Sequence, residues 1–137
     1  MAVYRQTLSI ASRGPGLHDV TGAVQRTVGE SQIATGLCSL FVKHTSASLL
    51  VTENADPDVL RDLEAWLARV APESSAYAHD AEGPDDMPAH LRSAVTPISE
   101  TIPVEQGRLL LGTWQAIYLF EHRRASHTRQ LVVTVLG

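Results

Sequence analysis

Apolar and polar positions alternate from the start of the chain. In residues 3–11, Tyr4, Gln6, Leu8 and Ile10 share one side and Val3, Arg5, Thr7 and Ser9 the other, which predicts a half-buried strand. RGPGLHD follows as a loop rich in glycine and proline. From Val20 the period changes. Val20, Ala23, Val24 and Val28 predict a short helix over residues 20–29, weakened by Gly22. Residues 36–44 carry apolar side chains on both faces, Leu37 and Phe41 against Cys38, Leu40 and Val42, as a central strand would. His44 continues the second face where that run ends, and Leu49 to Thr52 form the next strand. The clearest helix begins at Asp56, a suitable N-cap with Pro57 in the first helical position. Val59, Leu60, Leu63, Trp66, Leu67 and Val70 make its apolar stripe, and Pro72 ends it. A second short helix, capped by Asp85 or Asp86 with Pro88 in its first turn, carries His90, Leu91, Ala94 and Val95 and stops at Thr96–Pro97.

The remaining chain reads as strands at 98–104, 108–111 and 113–121, a bend at Gly112, a polar hairpin HRRASH at 122–127, and a last strand through Leu131, Val133 and Val135. Two or three helices among six to eight mostly antiparallel strands predict an α+β fold, and 137 residues predict one domain, 1–137.

Composition narrows the possibilities. A chain this long can bury roughly two thirds of its unfolded surface and needs no staple. Its single cysteine, Cys38, excludes a disulfide framework and points to a reducing compartment; in an apolar run it reads as a small buried hydrophobe. With net charge −4 and no basic stripe, a nucleic-acid partner is not expected. No apolar run approaches a membrane span, and the first residues lack the pattern of a signal peptide, so the expected compartment is the cytoplasm.

One stretch stands apart. In YAHDAEGPDDMPAH (77–90), His79 and His90 bracket Asp80, Glu82, Asp85 and Asp86, with Gly83, Pro84 and Pro88 breaking regular structure. Imidazoles and carboxylates are the ligands of zinc, and a catalytic zinc site uses three protein ligands and keeps one position open. The helix breakers let the chain fold back so that both rings reach one centre, and His44 is the best third ligand. A hydrogen-bonded strand-end histidine is the competing role for His44, helix capping that for Asp85 and Asp86. The carboxylates could orient the imidazoles or serve as a base. Thr45, Ser46 and Ser48 offer hydroxyls without P-loop spacing. Arg108, Arg123 and Arg124 either pair with phosphates or are merely solvated. Glu121 shares a strand face with Gln115, Ile117 and Leu119. It sits either at an edge near solvent, the reading favoured by a small margin, or beside a partner such as an arginine or a liganding histidine.

KHTSASLLVTENADPDV at 43–59, YAHDAEGPDDMPAH at 77–90 and GRLLLGTWQAIYLFEHR at 107–123 closely resemble the YjbQ-like family, described as secondary thiamine-phosphate synthases. The resemblance spans nearly the whole chain. It implies a compact, mostly antiparallel β-sandwich with two to three helices, a homotrimer, and a divalent metal, zinc or else magnesium or manganese, on His44, His79 and His90. ENADP carries Asn54 and GTWQ carries Gln115. Ala116 and Phe120 stand where glycine and cysteine are common in the family, changes that bear on packing rather than ligands. The implied reaction joins a hydroxymethylpyrimidine pyrophosphate to a thiazole phosphate and releases pyrophosphate. Glu82, Asp85, Gln115 and Glu121 are then catalytic candidates, and Thr45, Ser46, Ser48 and Asn54 would contact a small phosphorylated substrate. A metal-dependent hydrolase of a phosphorylated or acyl compound, and a non-catalytic binding module, are the alternatives.

Overall fold

The last strand, β8 (His127–Leu136), lies between the first, β1 (Val3–Ser12), and the apolar β3 (Gly36–Val42). The computed structural model, which describes residues 1–137, continues this sheet through β5 (Ser99–Glu105) to the two-residue β6 (Arg108–Leu109). A second sheet pairs β7 (Gln115–Glu121) with β2 (Gly16–Asp19) on one side and β4 (Ala47–Glu53) on the other. All pairings are antiparallel. With helices α1 (Thr21–Ser31), α2 (Pro57–Val70) and α3 (Asp86–Val95), this is the expected α+β sandwich.

One cluster of 16 buried apolar residues joins both sheets to α1. Cys38, Leu40 and Val42 of β3 and Leu131, Val133 and Val135 of β8 meet Leu49, Ile117 and Leu119 from the smaller sheet, with Val24 and Val28 of α1 alongside. The alternation in β8 explains why its odd-numbered residues point inward. At roughly 25 cal/mol per Å², each such side chain contributes about 1.5–3 kcal/mol, which makes this cluster the main cohesive term.

Three local expectations differ from the structure. The loop at 13–19 contains strand β2, held in place by pairing with β7 rather than by its own composition. Leu37 and Phe41 are half exposed on the outer face of the larger sheet, so β3 is central in its sheet but covered on one face only. In α2, capped by Asp56 Oδ1 accepting from the Asp58 N–H at 2.9 Å, the apolar stripe is wider than its seat: Leu67 is buried while Trp66 and Val70 stand half exposed.

β7 and β4 are in register from Ala47↔Glu121 to Glu53↔Gln115. Their two ends are about 20 Å apart by strand rise. At the first end sit the 44–48 segment, α3 and Arg123, and it is there that the polar groups converge.

Candidate metal centre

α3 buries Asp86, Pro88, Ala89 and Ser93, and His90 is half-buried beside them. A helix of this length would normally turn leucines inward; this one turns in a carboxylate, an imidazole and a hydroxyl. Asp86 and His90 are four residues apart and so share a helix face. Before the helix, Gly83 has a φ of 104°, a left-handed turn open to glycine, which folds the preceding segment back and brings His79 over Asp86.

The result is a compact four-residue cluster. His79, Glu82, Asp86 and His90 each present a donor atom, and these atoms lie within 4.8 Å of one another. Asp86 Oδ2 is 2.6 Å from His79 Nε2 and 3.0 Å from His90 Nε2. Glu82 Oε2 is 3.7 Å from His79 Nε2. The other Asp86 oxygen, Oδ1, accepts from Arg123 Nη1 at 2.7 Å. Burial by itself would raise the Asp86 carboxyl. The bond from His79 and the charges of His90 and Arg123 outweigh it and hold the group below its usual range.

The tautomer of His90 is forced. Its Nδ1 lies 2.8 Å from the Thr45 carbonyl, which can only accept, so Nδ1 carries the proton. In the neutral ring Nε2 is then a bare lone pair, and it faces a carboxylate oxygen. That arrangement is repulsive unless the ring takes a second proton or a cation lies between the two. A histidine that donates its far N–H to a backbone carbonyl while its near nitrogen faces a carboxylate is the usual posture of a metal ligand. A divalent ion 2.0–2.2 Å from each donor needs donor separations of about 3–4 Å, within reach of small side-chain adjustments here. Half-exposed His79 and largely exposed Glu82 leave one side open to solvent.

His44 stands outside this cluster. Its Nε2 accepts from the Gln130 N–H at 2.8 Å, the strand-end role weighed against ligation from sequence. Burial, with Arg129 nearby, pushes its pKa below the ordinary value. It shares a cleft with His90 but offers no donor atom to the group that joins His79, Glu82, Asp86 and His90.

The carboxylates separate by environment. Asp85 occupies the N-cap position of α3 yet makes no capping bond. It accepts from Arg123 Nε and from the Arg124 N–H, both at 3.0 Å, and despite the opposing effect of burial its pKa is lowered, which suits an anchor better than a base. Within the cluster, Glu82 is the accessible carboxylate. Asp80 is exposed and takes no part in any hydrogen bond or ion pair.

Glu121 is not at a solvent edge; the partnered alternative holds. Fully buried, it accepts from Arg129 Nε at 2.7 Å and Nη2 at 2.5 Å, from Ser12 Oγ at 2.5 Å, and from the N–H groups of His122 and Arg123. All its lone pairs are occupied, so it acts as a keystone for β1, β7 and β8. Ser46 Oγ accepts from Arg129 at 3.0 Å. Ser48 lies 2.9 Å from His122 Nε2 and 2.6 Å from Thr96 Oγ1, and Thr96 donates to the Arg92 carbonyl. One consistent proton order runs from His122 through Ser48 and Thr96 to that carbonyl, which leaves no free hydroxyl on Ser48. Thr45 contributes its carbonyl. Gln115 Oε1 accepts from the Gly112 N–H, and the Asn54 N–H donates to Trp114; both residues are at the far end of β4 and β7. The structure therefore does not bring the proposed substrate hydroxyls together with Asn54 and Gln115.

The sequence offers Asp86 as an orienting group, a base or a cap, and Arg123 as a phosphate partner or a solvated side chain; the structure makes Asp86 the centre of the cluster and Arg123 its clamp, and the buried His122 and Arg129 carried no sequence signal. The signal available for Asp86 was its i, i+4 spacing to His90. For the other three, a polar run at a strand end gave no sign of burial.

The sandwich and the histidine–carboxylate cluster define a class: small α+β proteins with a candidate metal centre at one end of a three-stranded sheet. Residues 6–137 match the family described as UPF0047 protein YjbQ-like, and the chain belongs to that family. It is 51% identical over 135 residues to UPF0047 protein sll1880 of Synechocystis, covering 98% of this chain and 92% of that one. To UPF0047 protein YjbQ of Salmonella typhimurium it is 42% identical, with 98% of each covered. Among solved structures, a YbjQ-like protein of unknown function from Sulfolobus solfataricus superimposes with a TM-score of 0.90 at 28% identity, covering 99% of this chain and 98% of that one. No helix is long and apolar enough to cross a membrane.

Proposed function

We propose that this protein is a cytoplasmic divalent-metal enzyme acting on a small phosphorylated compound, with the metal held by His79, His90 and Asp86 and with Glu82 on the open side. One observation carries this reading: two imidazoles and two carboxylates, His79, His90, Glu82 and Asp86, hold their donor atoms within 4.8 Å of one another, with the His90 ring fixed by its Nδ1–H bond to the Thr45 carbonyl. Two imidazoles with carboxylate oxygens suit zinc best, with manganese or magnesium as the oxygen-preferring alternatives. Such an ion would supply Lewis-acid polarisation and neutralise a phosphorylated leaving group. The chain's own part is orientation. Arg123 clamps Asp86 through Oδ1 and frees Oδ2 for the centre. The Thr45 carbonyl fixes the His90 ring. Arg123 is fully engaged by Asp85, Asp86 and the Glu82 carbonyl, so it is no free phosphate clamp.

Thiamine-phosphate synthesis, implied by the family resemblance, is the first reaction to assay. Its two precursors should give product in a metal-dependent way, and the product should vanish in His79→Ala. No product above the protein-free rate would remove that reaction from consideration. Metal analysis of the purified protein tests the centre itself: His79→Ala and His90→Ala should lose the ion and His44→Ala should keep it.

Accessible Glu82 favours a second reading, hydrolysis of a small phosphorylated or acyl compound with this carboxylate as the base. A substrate panel run with zinc, manganese and magnesium separates the two, and silence across it counts against hydrolysis. Assembly as a homotrimer is proposed with them. Supporting it are half-exposed Leu37 and Phe41, opposite Leu136 and Val132 on the outer sheet face. A light-scattering mass of one chain would exclude it.

A further inference from the structure

A cavity of about 60 Å³ opens between the start of β2, α2, α3 and the end of β7. Phe120, Glu121 and His122 line it from β7 and the residue beyond, Glu64 and Leu67 from α2, and Arg92 from α3. His122 is more than nine-tenths buried. Its tautomer follows from the bonds behind it. The Arg92 carbonyl can only accept, so Thr96 donates to it, Ser48 donates to Thr96, and His122 Nε2 carries the proton that Ser48 accepts. Nδ1 is then a bare lone pair, and no protein group donates to it. Ser93 Oγ is the one partnerless side-chain polar atom sealed from solvent, so His122 Nδ1 is open, and the opening that His122 lines is this cavity.

Two further groups line the same space with unused bonding capacity. Arg92 donates Nε–H and Nη2–H to the Ala71 carbonyl, at 3.2 and 2.9 Å, which leaves Nη1 without a partner. Burial and then the Arg92 charge keep the His122 ring neutral. Glu64 makes no hydrogen bond and no ion pair, and burial pushes its carboxyl above the usual range. Gly16 makes room for it: a Cβ there would stand 2.7 Å from Glu64 Oε1. Glu121 adds no capacity, because Arg129, Ser12 and two backbone N–H groups already occupy it. A cation and an anion thus line one small cavity without pairing, beside a buried acceptor. Their charges offset each other, so the cavity favours an uncharged guest. A group that accepts from Nη1 and donates to Nδ1 and to the carboxylate satisfies all three, and a primary amide has that set. One water needs about 10–15 Å³ of such space, so the cavity takes about four to six groups of that size, enough for a small amide.

We infer that this cavity is a binding site for an uncharged primary-amide or urea-type group, its N–H groups held by His122 Nδ1 and Glu64 and its carbonyl oxygen by Arg92 Nη1. Leu67 and Phe120 cover the apolar part of the guest. The site is separate from the proposed metal centre. Arg92 follows His90 by two residues, so the two side chains leave α3 about 200° apart around the helix. The inference stands whether or not the other side of α3 holds an ion.

The test uses the full chain, labelled with nitrogen-15, in a chelator so that no metal contributes. Acetamide is the probe. Acetone, which has the same shape but no donor, and acetate, which has no donor and carries a charge, are the controls. The resonance of His122 Nδ1 should move toward the protonated position as the lone pair accepts a hydrogen bond. It should saturate with a Kd on the order of 1–10 mM, as expected for so small a ligand, and neither control should saturate it. Glu64→Ala, on the solvent side of α2, should leave the melting temperature within about 2 °C of the wild type and weaken binding about fivefold to tenfold. His122→Gln keeps an amide N–H for Ser48 but loses the Nδ1 acceptor, and should weaken binding about tenfold, read from the Leu67 and Phe120 amides. His79→Ala should bind acetamide as the wild type does. No saturation at about 100 mM acetamide, equal affinity for acetone, wild-type affinity in Glu64→Ala, or an Nδ1 resonance unmoved in the bound protein would each overturn the inference. If His122→Gln does not fold, the Nδ1 resonance and Glu64→Ala decide the matter between them.

Discussion

Replacing Asp86 by asparagine separates a ligand from a scaffold residue. In the wild type, Oδ1 is taken by Arg123 and Oδ2 is shared by the two imidazoles. Asparagine keeps an oxygen for Arg123, and its amide can donate to the lone pair of His90 Nε2. The metal-free variant should therefore lose the charge assistance of the Arg123 bond and of the half-exposed His79 bond, together about 1 kcal/mol, with Asp85 still holding the guanidinium. The loaded state is different, because an amide nitrogen pointing at the centre gives a cation nothing to bind. Removing even a residue that merely orients a ligand lowers metal affinity 10- to 100-fold, so about 100-fold is a floor for this one. With metal in excess, that factor is worth about 2.7 kcal/mol of ligand-linked stability, or about 10 °C in a chain of this size. The assay is differential scanning calorimetry of both proteins, with chelator and with a fixed zinc excess. The zinc-induced rise should be present in the wild type and nearly absent in Asp86→Asn, while the chelated melting temperatures differ by only about 4 °C. An equal zinc-induced rise in both proteins would refute Asp86 as a ligand.

Three further substitutions probe the frame. Arg129→Met strands the Glu121 carboxylate in the core and should cost about 3–5 kcal/mol in urea unfolding, most of it regained in Glu121→Gln/Arg129→Met. His122, its pKa pushed down to about 4 by burial and by Arg92, is buried as the neutral ring. Unfolded histidine binds its proton near pH 6.5, so the unfolded chain gains protons first on acidification. About 3 kcal/mol of stability should be full above pH 6.5 and lost between there and pH 4, and His122→Gln should flatten that stretch of a stability–pH curve. Gly36→Ala would set a Cβ 1.8 Å from the Leu136 carbonyl oxygen, a backbone atom that cannot step aside, and should yield a protein unfolded or melting far below the wild type by circular dichroism.

How far the chain can be read depends on where the information resides. Period-2 and period-3.6 patterns are local, and they placed β1, α2, α3 and β7 to within a residue or two. Strand β2 was not legible, because GLHD is held by its pairing with β7 across a hundred residues of chain. His79 and His90 were legible from density and spacing. The demotion of His44 was not, since it depends on the amide of Gln130, a backbone group that no side-chain pattern announces. Glu121 shows the same limit. Alternation placed it correctly beside Ile117 and Leu119 but could not see Arg129 arriving from the neighbouring sheet.

All four members of the cluster come from one twelve-residue segment, 79–90, whereas the groups that aim them, the Thr45 carbonyl and Arg123, arrive from distant parts of the chain. The chelating atoms are thus tethered to one another before the protein folds. If the centre binds a divalent ion as proposed, an unfolded or newly made chain would already capture that ion weakly through this segment, and folding would add the sharpening that orientation provides. Thermal shifts would then understate the affinity of the folded site, because the melted chain would keep a share of the metal. The same tether would give the ion a route onto the chain before the sheets close.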